Sequence, residues 1–461
     1  MERLINQENN YAGAFGATYR SSAIFYKPKY VKTTIVLSNY WSFKNFISAG
    51  LVITTRTMKG KIIERKEVTF RKCNVLSLVI ESIDEGSVEI EAFSNVNMRI
   101  PYAAVMAIYE ATDSISMVHS YGRNHSLIEL EDDNAIVAGR ESCWTLRPRP
   151  NLRNLTVFHN GHLPIDSQTA KFCVTRLDGL EITVEFDMPP IDAFETYVFE
   201  AENIFPDLKV FLDGEIGWGT LHFEGSSSFT RLLAIWLSDD NSEVQVTHTN
   251  FDYTAHQTSL VETSKPAYMV LPKIGGELPH VLVYPKFSEG VYSLNKGTNF
   301  QTGQLIAPNE QRLEFRRTDG SLPARIVTAL TGHGNVNEAL PFECSLGVVH
   351  EKRPPKRFHW FVVSGHYPST IHITAYEEIY AQEGPIDLVF RLYTEEDEDY
   401  VEEKLEVSSL RELPEEIMVG DLFDMSDVQG FAYASVFSHY GGLFIYSSLR
   451  KGKSVTLEHS F

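Results

Sequence analysis

The chain of 461 residues is long enough for about three domains, with two or four also allowed. Hydrophobic residues make up 43% and charged residues 22%, which is ordinary for globular protein and excludes wholesale disorder. The formal net charge of −20 repels phosphate backbones and anionic lipid, so we expect no nucleic-acid partner.

Cysteine usage and hydropathy indicate where the protein is located. The four cysteines form no Cys-x-x-Cys pair, which excludes a zinc ribbon and argues against a disulfide scaffold. The first residues lack the apolar segment of a signal peptide. The longest apolar runs, residues 103–109 and 442–446, are too short to cross a bilayer. The sequence therefore predicts a cytoplasmic protein with no membrane insertion.

Alternation of apolar and polar residues recurs along the chain and predicts short strands with one buried face. In chain order, the clearest runs are residues 33–37, 51–55, 171–175 and 180–186. Turn-forming pairs such as Lys59-Gly60 and Asp178-Gly179 separate the strands. This pattern predicts an all-β chain of tandem antiparallel β-sandwich modules, immunoglobulin-like or jelly-roll-like.

Residues 400–413 are the one segment that favours a helix. They follow an acidic run, which suits the positive end of a helix dipole, and they stop before Pro414. A charged hairpin tip followed by a strand explains the same residues equally well.

Internal repeats are the most informative feature of the sequence. Three segments consist of an apolar strand with an aromatic residue, a polar turn and a second strand that closes on a histidine: His119, His248 and His459. A further correspondence links residues 158–164 with residues 362–368, which share the pattern Gly-His-x-Pro.

These repeats predict the domain organisation. We expect a flexible N-terminus over residues 1–19 and sandwich modules over 20–130, 140–255 and 350–461. Residues 256–349 are either a diverged β module or an insertion.

The repeated histidines His119, His248 and His459 are candidate metal ligands. If the modules pack around a pseudo-symmetric axis, three imidazoles can converge on a divalent metal, as in three-histidine zinc sites. Equivalent positions of tandem modules usually lie a domain diameter apart. The favoured expectation is therefore that each histidine ends a strand at the rim of its own module and that no cofactor is bound.

Two further groups of residues are candidates for ligand binding. His162 and His366 lie in Gly-His-x-Pro turns, where an imidazole is exposed and can act as acid, base or ligand. Aromatic rings beside small polar residues can stack on a sugar, although any one of them can instead belong to the core. These rings are Trp41, Trp218, Trp360 and Tyr440.

No nucleophile elbow or phosphate-binding loop occurs in the sequence. The predicted function is therefore a non-catalytic binding or scaffold protein that recognises a carbohydrate or a protein partner. The first alternative is an enzyme with its site between modules, dependent on a histidine-bound metal and acting on a sugar or small molecule. The second is a structural assembly protein that forms oligomers through an exposed apolar patch.

Overall fold

The fold is nearly all β, with 58% of residues in strands and 6% in helices in the computed structural model. Strands form eight four-stranded antiparallel sheets, arranged in four pairs that we call modules 1 to 4. The predicted class of tandem β-sandwiches is confirmed. The structure describes residues 19–40, 42, 49–69, 75–94, 104–119, 142–161, 163–224, 232–249, 260–262, 265–285, 290–295, 297–301, 303–323, 326–332, 339–347, 357–395 and 399–460.

The first two modules contain sixteen of the strands. Module 1 consists of β1 (Tyr19–Lys27), β2 (Lys32–Ser38), β3 (Gly50–Thr57), β4 (Ile62–Thr69), β5 (Val75–Val79), β6 (Gly86–Ser94), β7 (Val105–Glu110) and β8 (Ile115–His119). Module 2 consists of β9 (Ser142–Leu146), β10 (Leu152–His159), β11 (Gln168–Arg176), β12 (Glu181–Met188), β13 (Thr196–Glu200), α1 (Ala201–Ile204), α2 (Leu208–Leu212), β14 (Gly217–His222), β15 (Leu233–Ser238) and β16 (Val244–His248).

The other two modules follow in chain order. Module 3 consists of β17 (Leu260–Glu262), β18 (Ala267–Val270), β19 (His280–Val283), β20 (Val291–Leu294), β21 (Thr298–Gln301), β22 (Gln304–Ile306), β23 (Arg312–Arg317), β24 (Ser321–Pro323), β25 (Val327–Thr331) and β26 (Glu343–Gly347). Module 4 consists of β27 (Phe358–Ser364), β28 (Ser369–Ala375), β29 (Ile386–Tyr393), β30 (Tyr400–Val407), a 3-10 turn (Leu410–Glu412), β31 (Glu416–Met418), α3 (Val419–Leu422), β32 (Phe431–Phe437), β33 (Leu443–Lys451) and β34 (Ser454–His459). Among the described residues, no helix has the length and apolar character needed to cross a bilayer.

All four modules share one topology. Numbered within a module, the strands follow the order 1-6-3-4 in one sheet and 5-2-7-8 in the other; module 3 adds the two-stranded ribbon of β17 and β24. The region that the sequence left open, residues 256–349, therefore has the same strand order as its neighbours. The exact division into independent domains stays a prediction, and residues 1–18 lie outside the described part of the chain.

The strand order confirms one of the two repeats predicted from the sequence and contradicts the other. The three hairpins that close on histidine, β7–β8, β15–β16 and β33–β34, occupy the same place in their modules. By contrast, residues 158–159 end the second strand of module 2, whereas residues 362–364 end the first strand of module 4. That correspondence is wrong, because Gly-His-x-Pro marks a tight turn and tight turns occur at many places in a sandwich.

Of the two equal interpretations of residues 400–413, the helix is wrong and the strand that follows a hairpin tip is correct. Residues 400–407 form the edge strand β30, which pairs along its length with β29. Its charged side chains remain largely exposed while Val407 is buried. Pairing with a neighbour of matching length outweighs the weak preference of an acidic segment for helix.

The modules form a closed ring, because each neighbouring pair shares an apolar cluster. Module 2 contributes Leu155 to the core of module 1. Trp218 of module 2 packs with residues of module 3, and Tyr446 of module 4 lies in the core of module 3. Met106 of module 1 packs with Tyr433 of module 4, which closes the circle. Burying this apolar surface stabilises the contacts by about 25 cal/mol per Å².

His159, at the end of β10, gives a test of this packing. Its Nδ1 lies 3.0 Å from the Thr196 hydroxyl, and burial lowers the pKa of its imidazole to about 3 from 6.5. Below about pH 6.5 the unfolded chain binds a proton that the folded chain does not. The free energy of unfolding should then fall by about 1.4 kcal/mol per pH unit for this one group.

We expect His159→Gln to reduce the slope of the free energy of unfolding against pH by about 1.4 kcal/mol per pH unit. Denaturant unfolding of both proteins should be compared at several pH values between about 7 and 5, with a measurement at pH 8 as the reference for any direct loss of stability. Equal slopes in the two proteins would contradict a buried, uncharged His159.

Candidate functional site

The last strands of the four modules meet in the middle of the molecule. β8 contacts β16 and β34, and β26 contacts the same two strands, so that the four form a closed bundle. We call β8, β16, β26 and β34 the central bundle. Ser114 and Ser116 bond to Val244 and Val246 in that order, which shows that β8 and β16 run in the same direction.

Hydroxyl and amide side chains hold the central bundle together. The serine hydroxyls of Ser114 and Ser116 accept hydrogen bonds from the backbone N–H groups of Val244 and Val246 at 2.7 and 2.8 Å. On the other side, the backbone N–H of Met117 donates to Thr456 at 3.0 Å. Each strand is the edge of its own sheet, so its outer backbone groups need partners once they are buried. Polar residues at every second position supply them.

The central bundle brings the three repeated histidines together. The ring of His119 lies between the other two, with centroid distances of 4.7 Å to His248 and 5.3 Å to His459, both edge-on. Glu458 completes the group: its Oε1 lies 3.0 Å from His119 Nδ1 and 3.8 Å from His459 Nε2. We call these four residues the histidine centre. The favoured expectation, that each histidine stays at the rim of its own module, is wrong, because the modules form a ring and their last strands point inward.

Polar atoms of the backbone orient the histidine centre. His248 Nδ1 lies 3.1 Å from the carbonyl oxygen of Thr249; a carbonyl only accepts, so this nitrogen carries the proton. The backbone N–H of His459 donates to Glu458 at 3.2 Å. Burial, reinforced by the nearby Glu458 carboxylate, raises the pKa of the Cys344 thiol of β26 well above its ordinary value.

Two of the aromatic residues considered for sugar binding lie in the core. Trp218 is fully buried and packs on Tyr284, with ring centroids 4.8 Å apart, between modules 2 and 3. Trp360 is buried beside Tyr40, 4.1 Å away, between modules 1 and 4. Of the two alternatives for these rings, a place in the core is correct for Trp218 and Trp360, and an exposed binding surface is wrong, because rings at the ends of modules become interface residues once the ring closes.

The remaining candidates are divided between surface, core and undescribed positions. Tyr440 is buried, and its hydroxyl donates to the carbonyl of Tyr380 at 2.9 Å. His366 is exposed in a turn, and the adjacent Tyr367 donates to Glu110 of module 1 at 2.6 Å. His162 and Trp41 lie outside the described residues.

Sequence reasoning missed a buried charged cluster between modules 2 and 3. Arg147 Nη2 lies 3.3 Å from Glu343 Oε2, and the guanidinium stacks over the Trp236 ring at 4.8 Å. The other carboxylate oxygen of Glu343 accepts the hydroxyl of Tyr284. Burial lowers the pKa of Arg147 and raises the pKa of Glu343, and each charge opposes the shift of the other. The only sequence signal was an arginine beside prolines, which is typical of a linker.

A charged cleft lies at the end of the central bundle where the four strands begin. It has a volume of about 500 Å³, and cavities of about 350 and 300 Å³ adjoin it through shared lining residues. We call the 500 Å³ cavity the four-module cleft, because every module contributes to it. Its lining residues are Thr112, Asp113, Arg149, Ser242, Glu243, Ala339, Lys451, Gly452 and Lys453.

Contacts between modules fix the walls of the four-module cleft. Arg149 forms an ion pair with Glu243 at 2.6 Å, and Glu243 also accepts the backbone N–H of Leu340 from module 3 at 3.1 Å. Lys451 of module 4 donates to the carbonyl of Ala111 in module 1. The cleft thus presents positive and negative side chains on walls that contacts between the modules hold in place.

No known protein family and no curated protein matches this chain. Among solved structures, a calcium-binding mutant of Bacteroides uniformis β-glucuronidase 2 is similar at 10% identity and a TM-score of 0.12, over 49% of this chain and 25% of that one. The same enzyme with a bound cyclophellitol aziridine matches at 9% identity over the same shares, also with a TM-score of 0.12. This chain thus spans about a quarter of the length of the glucuronidase.

A tetra-tandem repeat from the extending region of a large adhesion protein is similar over 96% of this chain and 97% of its own, at 9% identity and a TM-score of 0.09. Likenesses with TM-scores this low carry no information about function.

The charged cluster gives a stability prediction. We expect Glu343→Gln to lower the free energy of unfolding by about 3–5 kcal/mol, because it leaves the buried Arg147 charge without its carboxylate. Glu185→Gln is the matched control; it removes an ion pair with Lys171 whose partners are both more than half exposed, so its effect should be much smaller. Thermal or denaturant unfolding measures both, and equal losses would contradict the importance of the cluster.

Proposed function

We propose that this protein is a non-catalytic binding and scaffold protein whose ligand site is the four-module cleft. The observation that carries the proposal is that the turns of all four modules converge on one cavity at one end of the central bundle. A cleft of several hundred cubic ångströms with a few fixed polar groups is the usual form of a ligand site. The cleft forms only when the ring of modules is closed, so the packing of the modules provides both the scaffold and the ligand site.

The chemistry of the cleft favours a charged protein segment as partner over a carbohydrate. Asp113, Glu243, Arg149 and Lys453 all line the cleft, and none of its lining residues is aromatic. Sugars stack on exposed rings, whereas the tryptophans described by the structure at positions 218 and 360 are buried. Adjacent charges of both signs suit a peptide that carries both signs, since complementary charge fixes register and excludes other partners.

The placement of perturbed groups supports binding over catalysis. Tyr284 and Tyr433, whose pKa values burial raises well above the ordinary value, lie in closed contacts between modules. Neither lines the four-module cleft. An active site usually concentrates such groups where a substrate can reach them.

Charged edge strands support binding over assembly into filaments. The exposed edges β4, β12 and β30 carry many Glu and Lys residues, for example Lys66, Glu185 and Glu403. Charges on an edge strand prevent pairing with another copy.

The proposed location is the cytoplasm. Cys344 is a buried cysteine that forms no disulfide. Thiols that stay reduced are typical of that compartment.

Binding should depend on the charge of the cleft. The purified full-length chain is screened against a peptide array and a glycan array. We expect peptide hits whose affinity falls about tenfold in Lys453→Glu and weakens with added salt, because the substitution reverses one wall charge. Lys404→Glu, which makes the same charge change on β30, is the control and should bind as the wild type does.

Three results would overturn the proposal. Hits confined to glycans would contradict the partner class, and equal loss of affinity in both variants would contradict the site. Chemical conversion of the bound peptide, followed by mass spectrometry, would contradict a non-catalytic role.

A further inference from the structure

We infer that His119, Glu458 and His459 form a binding site for a divalent transition-metal ion, with zinc as the best match to the ligand type. The three residues each offer one ligand atom, and these atoms all lie within 4.8 Å of one another. The site is at the opposite end of the central bundle from the four-module cleft and goes beyond the proposed binding function.

The distances are close to those of a tetrahedral zinc site. With metal–ligand bonds of 2.0–2.1 Å, the ligand atoms are about 3.4 Å apart. The two separations from Glu458 Oε1 are 3.0 Å to His119 Nδ1 and 3.8 Å to His459 Nε2. The ligand atoms farthest apart are within 4.8 Å of each other. Side-chain rotations that move atoms by roughly 1.5 Å or less therefore bring all three around one ion.

The donor set selects the metal. Two imidazole nitrogens and one carboxylate oxygen suit zinc, cobalt or nickel, whereas calcium and magnesium prefer oxygen ligands alone. The side chains of His119 and Glu458 are 1% and 10% exposed, so water competes little for the ion. A divalent cation also neutralises the Glu458 carboxylate in a chain with a net charge of −20.

The surroundings hold the ligands in place. His248 packs edge-on against His119 and is fixed by its hydrogen bond to Thr249. The hydroxyl of Ser460, next to the ligand His459, is hydrogen-bonded to His359 Nδ1 at 2.8 Å. The His248 ring restricts the orientation of the ligand His119 directly, and the Ser460 bond fixes the chain next to His459.

The position of the site indicates its role. His119 ends the last strand of module 1, whereas Glu458 and His459 end the last strand of module 4. A metal shared by these strands joins the first module of the ring to the last. The three protein ligands leave one position of a tetrahedral ion for a water molecule. Because the ion binds only when the two strands are together, its binding free energy adds to the stability of the fold.

Zinc binding by the full-length chain, without a histidine tag, tests the inference. Protein treated with EDTA and desalted is incubated with ZnCl2, desalted again and analysed by elemental mass spectrometry. We expect about one zinc per chain and an unfolding temperature several degrees higher than that of the metal-free protein, because the ion binds the folded state. Less than a tenth of an equivalent of zinc would overturn the inference.

Variants and cobalt identify the ligands. Glu458→Gln and His119→Gln should each weaken zinc binding at least tenfold, whereas His159→Gln, which removes a buried histidine of module 2, should not. Cobalt in the wild-type protein should give visible d–d bands without a sulfur charge-transfer band, which tests the site even if a variant fails to fold. Absence of the d–d bands, a sulfur band from Cys344, or equal binding by all variants would contradict this ligand set.

Discussion

The structure depends on the way in which the outer edge of the last strand in each module is satisfied. Such an edge has a row of backbone N–H and carbonyl groups that cost free energy when they are buried without partners. Here the partners are side chains of the neighbouring module, such as Ser116 for Val246 and Thr456 for Met117. An edge that would otherwise face solvent becomes the seam along which the four modules meet.

The direction of the central strands divides the molecule into two functional ends. β8, β16 and β34 run the same way, because their mutual hydrogen bonds advance in step. The turns before the strands therefore line the charged cleft, and the residues at their far ends form the histidine centre. The two sites are about 15 Å apart, the length of a five-residue strand. A ligand and a metal can thus occupy the same seam without touching.

Apolar packing and buried charge contribute differently at the module contacts. Shared clusters around Leu155, Tyr433 and Tyr446 supply most of the stabilisation, since burial of apolar surface is not directional. The ion pair of Arg147 with Glu343 adds little net free energy. Any placement of modules 2 and 3 that separated the two residues would leave a buried charge without its partner, so the pair fixes how these modules are placed. The contact between modules 1 and 4, which closes the ring, has in addition a hydrogen bond from the Tyr367 hydroxyl to Glu110. Glu110 is held in place by an ion pair with Lys32 of its own module.

The sequence by itself determined the all-β class, the repeated terminal hairpin and the histidine that ends it, because strand alternation and turn chemistry are local properties. It could not determine which strands of two modules correspond, so residues 158–164 and 362–368 were matched wrongly. Only the tertiary structure decided that Trp218 is an interface residue and that His119 meets His459. These outcomes depend on the angle between modules, which is set by the sum of many contacts between residues more than a hundred positions apart.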